Sequence, residues 1–255
     1  MRQGFSLVEL SIVLVILGLL TGGILGGQAL IRAAELRSVN TEYSRYTTAA
    51  YTFRDKYFAL PGDISNATRF WGDNATVCAD AAIADGAPGT CNGNANGVID
   101  VGSVNGSTAE MFQFWNQLAL AGLIEGTYTG RANAGSVTGS TIGINSPASR
   151  LSNAGWTAAW RVPGSPMFFA SVDAKNTYQF GAFRGNTSSL FNPVLSPQEA
   201  WNIDTKSDDG KANQGFIRAI WWDECTDAVD NTALSAAYLL TEPGKVCALN
   251  IVDAF

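Results

Sequence analysis

Histidine is missing from this chain altogether. Its absence removes the commonest general acid–base, the histidine half of Ser–His and Cys–His nucleophile pairs, and the usual nitrogen ligand of zinc. Charge is also sparse, with only 15% of residues Asp, Glu, Lys or Arg. No spacing among the acidic residues singles out a carboxylate pair of the kind that hydrolyses glycosides. No catalytic residue is assigned, and a structural role is expected. The net charge is −6. Residues 1–60 hold six Lys/Arg and four Asp/Glu, so they contribute +2 and residues 61–255 contribute −8. An acidic body repels nucleic-acid phosphates, which proteins bind mainly through Lys and Arg, so no direct nucleic-acid partner is expected. Cysteine is limited to Cys78, Cys91, Cys225 and Cys247, with no C-x-x-C pair to suggest zinc.

What the chain does have is a long apolar run, and it stands at the N-terminus. Residues 1–20 read MRQGFSLVELSIVLVILGLL. About 20 apolar residues span a bilayer, but this run is interrupted by Glu9. An ionised side chain at the centre of a membrane helix costs about 2.5–3.5 kcal/mol, and a plain anchor has no use for one. A carboxylate there needs a cationic partner. Cutting after Gly4 supplies it, as a new α-amine on Phe5. A secretory signal peptide needs a small-residue cleavage site after its apolar core. Here the following TGGILGGQALIRAAEL runs on into a helical pattern with no polar break.

Gly4, Phe5, Glu9 and the Gly18 after the aliphatic run stand as they do in type IV pilins and the pseudopilins of type II secretion, and over about its first 30 residues the chain resembles that family. The resemblance implies that a prepilin peptidase on the cytoplasmic side cleaves after Gly4 and that the Phe5 amine is then methylated. It implies that Glu9 pairs with the Phe5 amine of a neighbouring subunit in a filament. The implied partners are other pilin or pseudopilin subunits, the peptidase and an inner-membrane assembly platform. The chain departs from the family at Gly26, where many pilins carry a helix-kinking proline. Gly22, Gly23, Gly26 and Gly27 cluster there instead, each weakening a helix by about 1 kcal/mol relative to Ala.

Beyond the glycines, Leu36, Val39, Tyr43, Tyr46, Ala50, Phe53 and Tyr57 recur at spacings of three and four, a single apolar stripe on a helix. Arg37, Thr41, Arg45, Thr48 and Lys56 fall on the opposite face, and Pro61-Gly62 stops the helix. Phe5 to Phe58 is thus read as one helix, half membrane or filament core and half spine of a globular head. A second helix is expected from Ser107, with Glu110 completing a capping box and Gly122 ending it. Strands are expected at Trp156–Val162, Met167–Val172, Thr177–Arg184, Gly215–Trp222 and near Leu249–Val252. A further capping box, Ser196-Pro197-Gln198-Glu199, opens a short helix through about Lys206. The fold class is therefore α+β: a long N-terminal α-helix packed on a head with an antiparallel β-sheet, pilin-like in layout. The divisions are residues 1–4 as leader, 5–31 as transmembrane or filament-core helix, 32–60 as amphipathic spine and 61–255 as head.

Four cysteines allow three pairings. The local one, Cys78–Cys91 with Cys225–Cys247, closes short loops and is preferred. By the chain-entropy model each bridge stabilises by roughly 3 kcal/mol. Such bonds persist in the periplasm or outside the cell, in keeping with Arg2 on the cytoplasmic side of a single pass. A cysteine pair near the C-terminus also resembles the disulfide-bounded region of type IV pilins. Two stretches bear on cations. In NGNANGVID, Asn92, Asn94 and Asn96 precede Gly97 like the start of an EF-hand loop, but the first ligands are neutral and the twelfth position is Ser103. In IDTKSDDG, Asp204, Asp208 and Asp209 crowd a helix C-terminus, where negative charge opposes the helix dipole. The resemblance favours calcium at these three aspartates, because major pseudopilins hold calcium near the C-terminal part of the head.

The expected function is a subunit of a type IV pilus or a type II secretion pseudopilus. It starts as a single-pass inner-membrane protein of a bacterium, with its head in the periplasm. It then enters a periplasmic or cell-surface filament. A head of nearly 200 residues favours a minor over a bulk subunit, and the retained Glu9 argues against the extreme tip pseudopilin, which lacks that carboxylate. The alternative is a singly anchored periplasmic binding or adhesion module that never polymerises.

Overall fold

A computed structural model of the chain describes residues 7–72, 90–101, 109–132, 139–161, 167–169, 175–183, 189–233, 235–252 and 254–255. Helix α1 (Leu7–Tyr57) is unbroken over 51 residues, a rod about 77 Å long at 1.5 Å per residue. The glycine cluster lies inside it without interrupting it, and a Cβ at Gly22, Gly23, Gly26 or Gly27 would meet nothing within 4 Å. The helix has two lives. From Leu7 to Ile31 its large apolar side chains are exposed. From Arg32 onward it is bonded to the head, and Val39, Tyr46, Ala49, Ala50 and Phe53 are buried.

The head is built on this second half. Short α2 (Thr68–Trp71) and then α3 (Glu110–Leu120) follow α1, and next come β1 (Gly155–Arg161) and β2 (Lys175–Gly181). Helix α4 (Pro197–Ser207) precedes β3 (Ile217–Ile220), short α5 (Trp222–Cys225) and β4 (Ala248–Val252). The strands form one antiparallel sheet in the order β1-β2-β4-β3. The last strand in sequence is therefore an interior strand, paired on both edges. Alternate residues of each strand face α1: Tyr46 meets Trp156 edge-on at 5.8 Å, and Tyr43 meets Tyr178 at 6.3 Å. Helix α3 closes the same core, with Trp115 at 5.0 Å from Tyr46 and stacked on Tyr178 at 5.8 Å. The arrangement is α+β, a long N-terminal helix on a C-terminal antiparallel sheet, as the sequence led one to expect.

Several local expectations shift. Helix α3 begins at Glu110 with Ala109 as its N-cap and no side-chain cap; Ser107, from which the capping box was expected, lies outside the described residues. The Glu110 carboxylate accepts from Asn94 N and Asp100 N, both at 3.0 Å. The capping box at Ser196 and Glu199 is formed, with Pro197 at the first helical position. Residues 167–169 are not a strand. Their two buried phenylalanines pack as a loop, Phe168 with Phe191 and Phe169 in the main core. The strand expected at Gly215–Trp222 ends at Ile220, because Trp221 turns the backbone to φ 66° and α5 begins. Gly62 is needed where α1 hands over to the head: at φ +87°, its Cβ would lie 2.4 Å from the Glu110 carbonyl oxygen.

Candidate functional site

The N-terminal half of α1 is the first candidate. Leu7, Val8, Leu10, Ile12 to Leu17, Leu19 and Leu20 are all exposed, as are Ile24, Leu25, Leu30 and Ile31. This is the one helix among the described residues long and apolar enough to cross a membrane. An apolar surface of this size is not stable in water and marks a lipid or protein partner. Glu9 lies in the first turn of α1, on the exposed surface. A carboxylate there favours the helix, because the N-terminal end carries the positive pole of the dipole. Gly4 and Phe5 lie outside the described residues.

At the junction between the two halves sits an ion pair that the sequence did not disclose. Arg32 grips Glu199 with two bonds, Nε to Oε1 at 2.6 Å and Nη2 to Oε2 at 2.8 Å, and Nη2 also donates to the Val194 carbonyl. Glu35 joins from one helical turn on. Burial opposes the charge on Glu199, yet the hydrogen bonds from Arg32 hold its carboxyl below the ordinary value. Glu199 was legible as a helix cap. Its second role, tying α4 to α1, depends on a contact across 167 positions.

Glu42 is a second residue that sequence reasoning passed over. It lies on the buried face of α1 beside the aromatic stripe. Its Oε2 accepts from Trp156 Nε1 at 2.8 Å and its Oε1 from Arg150 N at 2.9 Å. A carboxylate at a position of the apolar stripe, four residues before Tyr46, was the available signal.

The three aspartates come together at the C-terminus of α4. One oxygen of each of Asp204, Asp208 and Asp209 lies within 4.8 Å of the others. Asp204 is fully buried. Its Oδ2 accepts from the Tyr238 hydroxyl at 2.8 Å and its Oδ1 from Gly210 N at 2.9 Å. Asp208 Oδ2 takes the N–H groups of Phe216 and Ile217, joining the end of α4 to the start of β3. Gly215 must be glycine for this: a Cβ there would fall 1.9 Å from Asp208 Oδ2. Asp209 Oδ1 accepts from Lys211 N at 2.9 Å. Burial, reinforced by the charges of Asp208 and Asp209, pushes the Asp204 carboxyl up to about 7. Each carboxylate oxygen accepts at two positions, so the bonds already made leave room for a cation. The donor set is all hard oxygen, the type that suits calcium.

The asparagine stretch behaves otherwise. Asn94 Oδ1 accepts from Asn96 N at 3.0 Å and Asn96 Oδ1 from Val98 N at 2.9 Å. Both amide nitrogens donate to Asp100 Oδ2. Asp63 takes the N–H groups of Asn96 and Gly97. The oxygens of Asn94 and Asn96 are turned to the backbone, in a polar turn organised on Asp63. Ser103 lies outside the described residues.

Cys225 and Cys247 are joined by a disulfide, with their Cα atoms 5.1 Å apart. Cys91 is also disulfide-bonded, and Cys78 lies outside the described residues. Residues 1–25 match the family model of the prokaryotic N-terminal methylation motif, the prepilin-type cleavage and methylation segment of type IV pilin-like proteins. No curated protein and no solved structure matches the chain.

Proposed function

We propose that this chain, which opens with a prepilin-type methylation segment, is a structural subunit of a type IV pilus or a type II secretion pseudopilus, and a minor one. The observation that carries the reading is a single helix whose motif-bearing half is exposed and apolar while its other half is the spine of the head. Residues 1–4 are the leader, removed by a prepilin peptidase after Gly4, and the Phe5 amine is then methylated. Residues 5–31 cross the inner membrane and later form the filament core. Residues 32–60 support the head formed by residues 61–255, which faces the periplasm. An assembly platform in the inner membrane delivers the subunit to the filament.

In that filament Glu9 pairs with the Phe5 amine of a neighbour inside an apolar bundle. Truncating one partner of a buried charge pair strands the other, at a cost of about 3–5 kcal/mol. Glu9→Ala still inserts and is still cleaved, because the cut is several residues away, but it fails to enter filaments efficiently. Sheared filaments are fractionated from membranes for wild type and variant, with cleavage followed by intact mass. Cleaved variant in filaments at the wild-type level would remove the assembly role of Glu9 and favour a singly anchored module. Gly4→Val, which blocks the peptidase with a bulky side chain, leaves full-length precursor in the membrane; normal trimming of that variant would count against the whole reading.

Within the head, Asp204, Asp208 and Asp209 hold a calcium ion. The support is the all-oxygen donor set and the closeness of the three carboxylates. Calcium then stabilises the folded head by mass action, and the melting temperature of the full chain in detergent rises with calcium and falls with chelator.

A further inference from the structure

The face of the sheet turned away from α1 carries an arrangement that the filament reading does not use. The strand register places Thr157 of β1, Gln179 of β2, Asn250 of β4 and Arg218 of β3 side by side in one row across that face. Gln179 is 0% exposed and Asn250 1%. The Arg161 side chain reaches back along β1, and its Nη2 donates to Gln179 Oε1 at 2.8 Å and to the Ser189 hydroxyl. Its guanidinium carbon lies 5.3 Å from the centroid of the Phe168 ring.

Two features of this row are unusual. The first is a set of orphaned polar atoms. Among the described residues, Arg161 Nε, Gln179 Nε2, Asn250 Nδ2 and Asn250 Oδ1 are buried without a hydrogen-bond partner. Native interiors pair nearly all such groups, and each exception calls for a cause. The orientation of Gln179 is settled, because only its amide oxygen can accept from the guanidinium. For Asn250 the orientation does not matter, since both ends of its amide are orphaned.

The second feature is charge. The strands contribute Arg161, Lys175 and Arg218 to this face and no carboxylate. Arg161 has no ion pair among the described residues. Burial lowers its guanidinium only to about 10, so it stays charged at neutral pH. A partly buried cationic face thus belongs to a chain whose net charge is −6. The Arg161 side chain is half-buried but its Nε is fully buried; a buried N–H of a cation needs an acceptor or an anion, and the polar neighbours leave this one unserved.

We propose that this row is a binding site for a small oxyanion that also carries a hydroxyl group. The anion's oxygens accept from Arg161 Nε, Gln179 Nε2 and Asn250 Nδ2, and its O–H donates to Asn250 Oδ1. The site is independent of filament assembly and of the aspartate cluster, since neither contributes a residue to it.

The test uses the full chain in detergent at pH 7 and constant ionic strength. Thermal unfolding is followed while inorganic phosphate, acetate or chloride is titrated. Phosphate at neutral pH offers both acceptor oxygens and an O–H; acetate has no O–H; chloride has neither. The expected result is a saturable rise in melting temperature with phosphate, an apparent affinity at least tenfold weaker with acetate, and no saturable rise with chloride. Arg161→Met and, separately, Asn250→Leu abolish the saturable part. Phosphate also stabilises proteins generally, by exclusion from their surface, but that effect does not saturate and is the same in the variants. A flat response, an equal response to acetate, or a phosphate response unchanged in Arg161→Met would overturn the site. If either variant fails to fold, the comparison of the three anions on the unaltered chain still decides.

Discussion

Phe58 shows how a single residue can sit against local preference. It follows α1 with φ at 55° and is 91% exposed, while its N–H still closes the last turn onto the Arg54 carbonyl at 2.8 Å. This left-handed position after a helix is where glycine is favoured. A side chain there costs about 1–2 kcal/mol, of which glycine returns part through its greater freedom in the unfolded chain, about 0.5–1 kcal/mol. Phe58→Gly therefore raises stability by about 0.5–1 kcal/mol, read from the urea midpoint at unchanged slope. Glu42 is the opposite case, a charged residue that the core requires. Glu42→Leu leaves the Trp156 indole N–H and the Arg150 N–H without their acceptor, a loss of roughly 2–4 kcal/mol. Glu42→Gln keeps one acceptor oxygen and recovers about half of that loss. A Leu variant as stable as wild type would show that the two donors find other partners.

At the scale of elements, the C-terminus of α4 and the N-terminus of α3 both carry a carboxyl raised by burial. Asp204 and Glu110 are each pushed up to about 7. In the unfolded chain such groups lose their protons near pH 4. Between about pH 4 and pH 7 the folded state therefore holds more protons than the unfolded one, and stability falls as pH rises. In chelator, the melting temperature is accordingly higher at pH 5 than at pH 8. Asp204→Asn removes its share of this slope, since its amide can accept from Gly210 N and donate to the Tyr238 oxygen; the share of Glu110 remains. Calcium competes with the proton at Asp204, so it raises melting strongly at pH 8 and little at pH 5. A pH profile unmoved by calcium would leave the aspartates as a proton-holding turn.

For the whole molecule, the order β1-β2-β4-β3 makes the last strand a structural centre. The Cys225–Cys247 bridge ends next to β4, and Cys247 itself pairs with Leu195. Opening the bridge thus weakens the sheet and not a loose tail. With its ends 22 positions apart, the chain-entropy model gives about 3 kcal/mol. The paired change Cys225→Ala with Cys247→Ala lowers the single unfolding transition by about that amount. A separate early transition confined to the C-terminal region would refute this. The Arg32–Glu199 pair plays a related part, because it joins the head to the helix where the exposed apolar half begins. Arg32→Met leaves Glu199 half-buried beside its cap and lets the head swing relative to the apolar half. Hydrogen exchange reports it as lost protection near residues 30–36 with the sheet unchanged.

The long helix, its division into an apolar half and a striped half, and the α+β class could all be read from the chain alone. These rest on local periodicity and on the length of an apolar run, which need no distant partner. The same holds for the Ser196 cap, because capping is completed within four residues. The aspartate cluster was legible for the same reason, as Asp204, Asp208 and Asp209 lie within one helical turn and its exit. That Glu42 belongs to the core and Arg32 to Glu199 emerges only from the folded chain. Only it placed the C-terminal strand between two others and brought Gln179, Asn250 and Arg161 together on one buried face. Each of these is a contact between residues far apart in the chain, where burial and pairing across strands override what any local pattern can express.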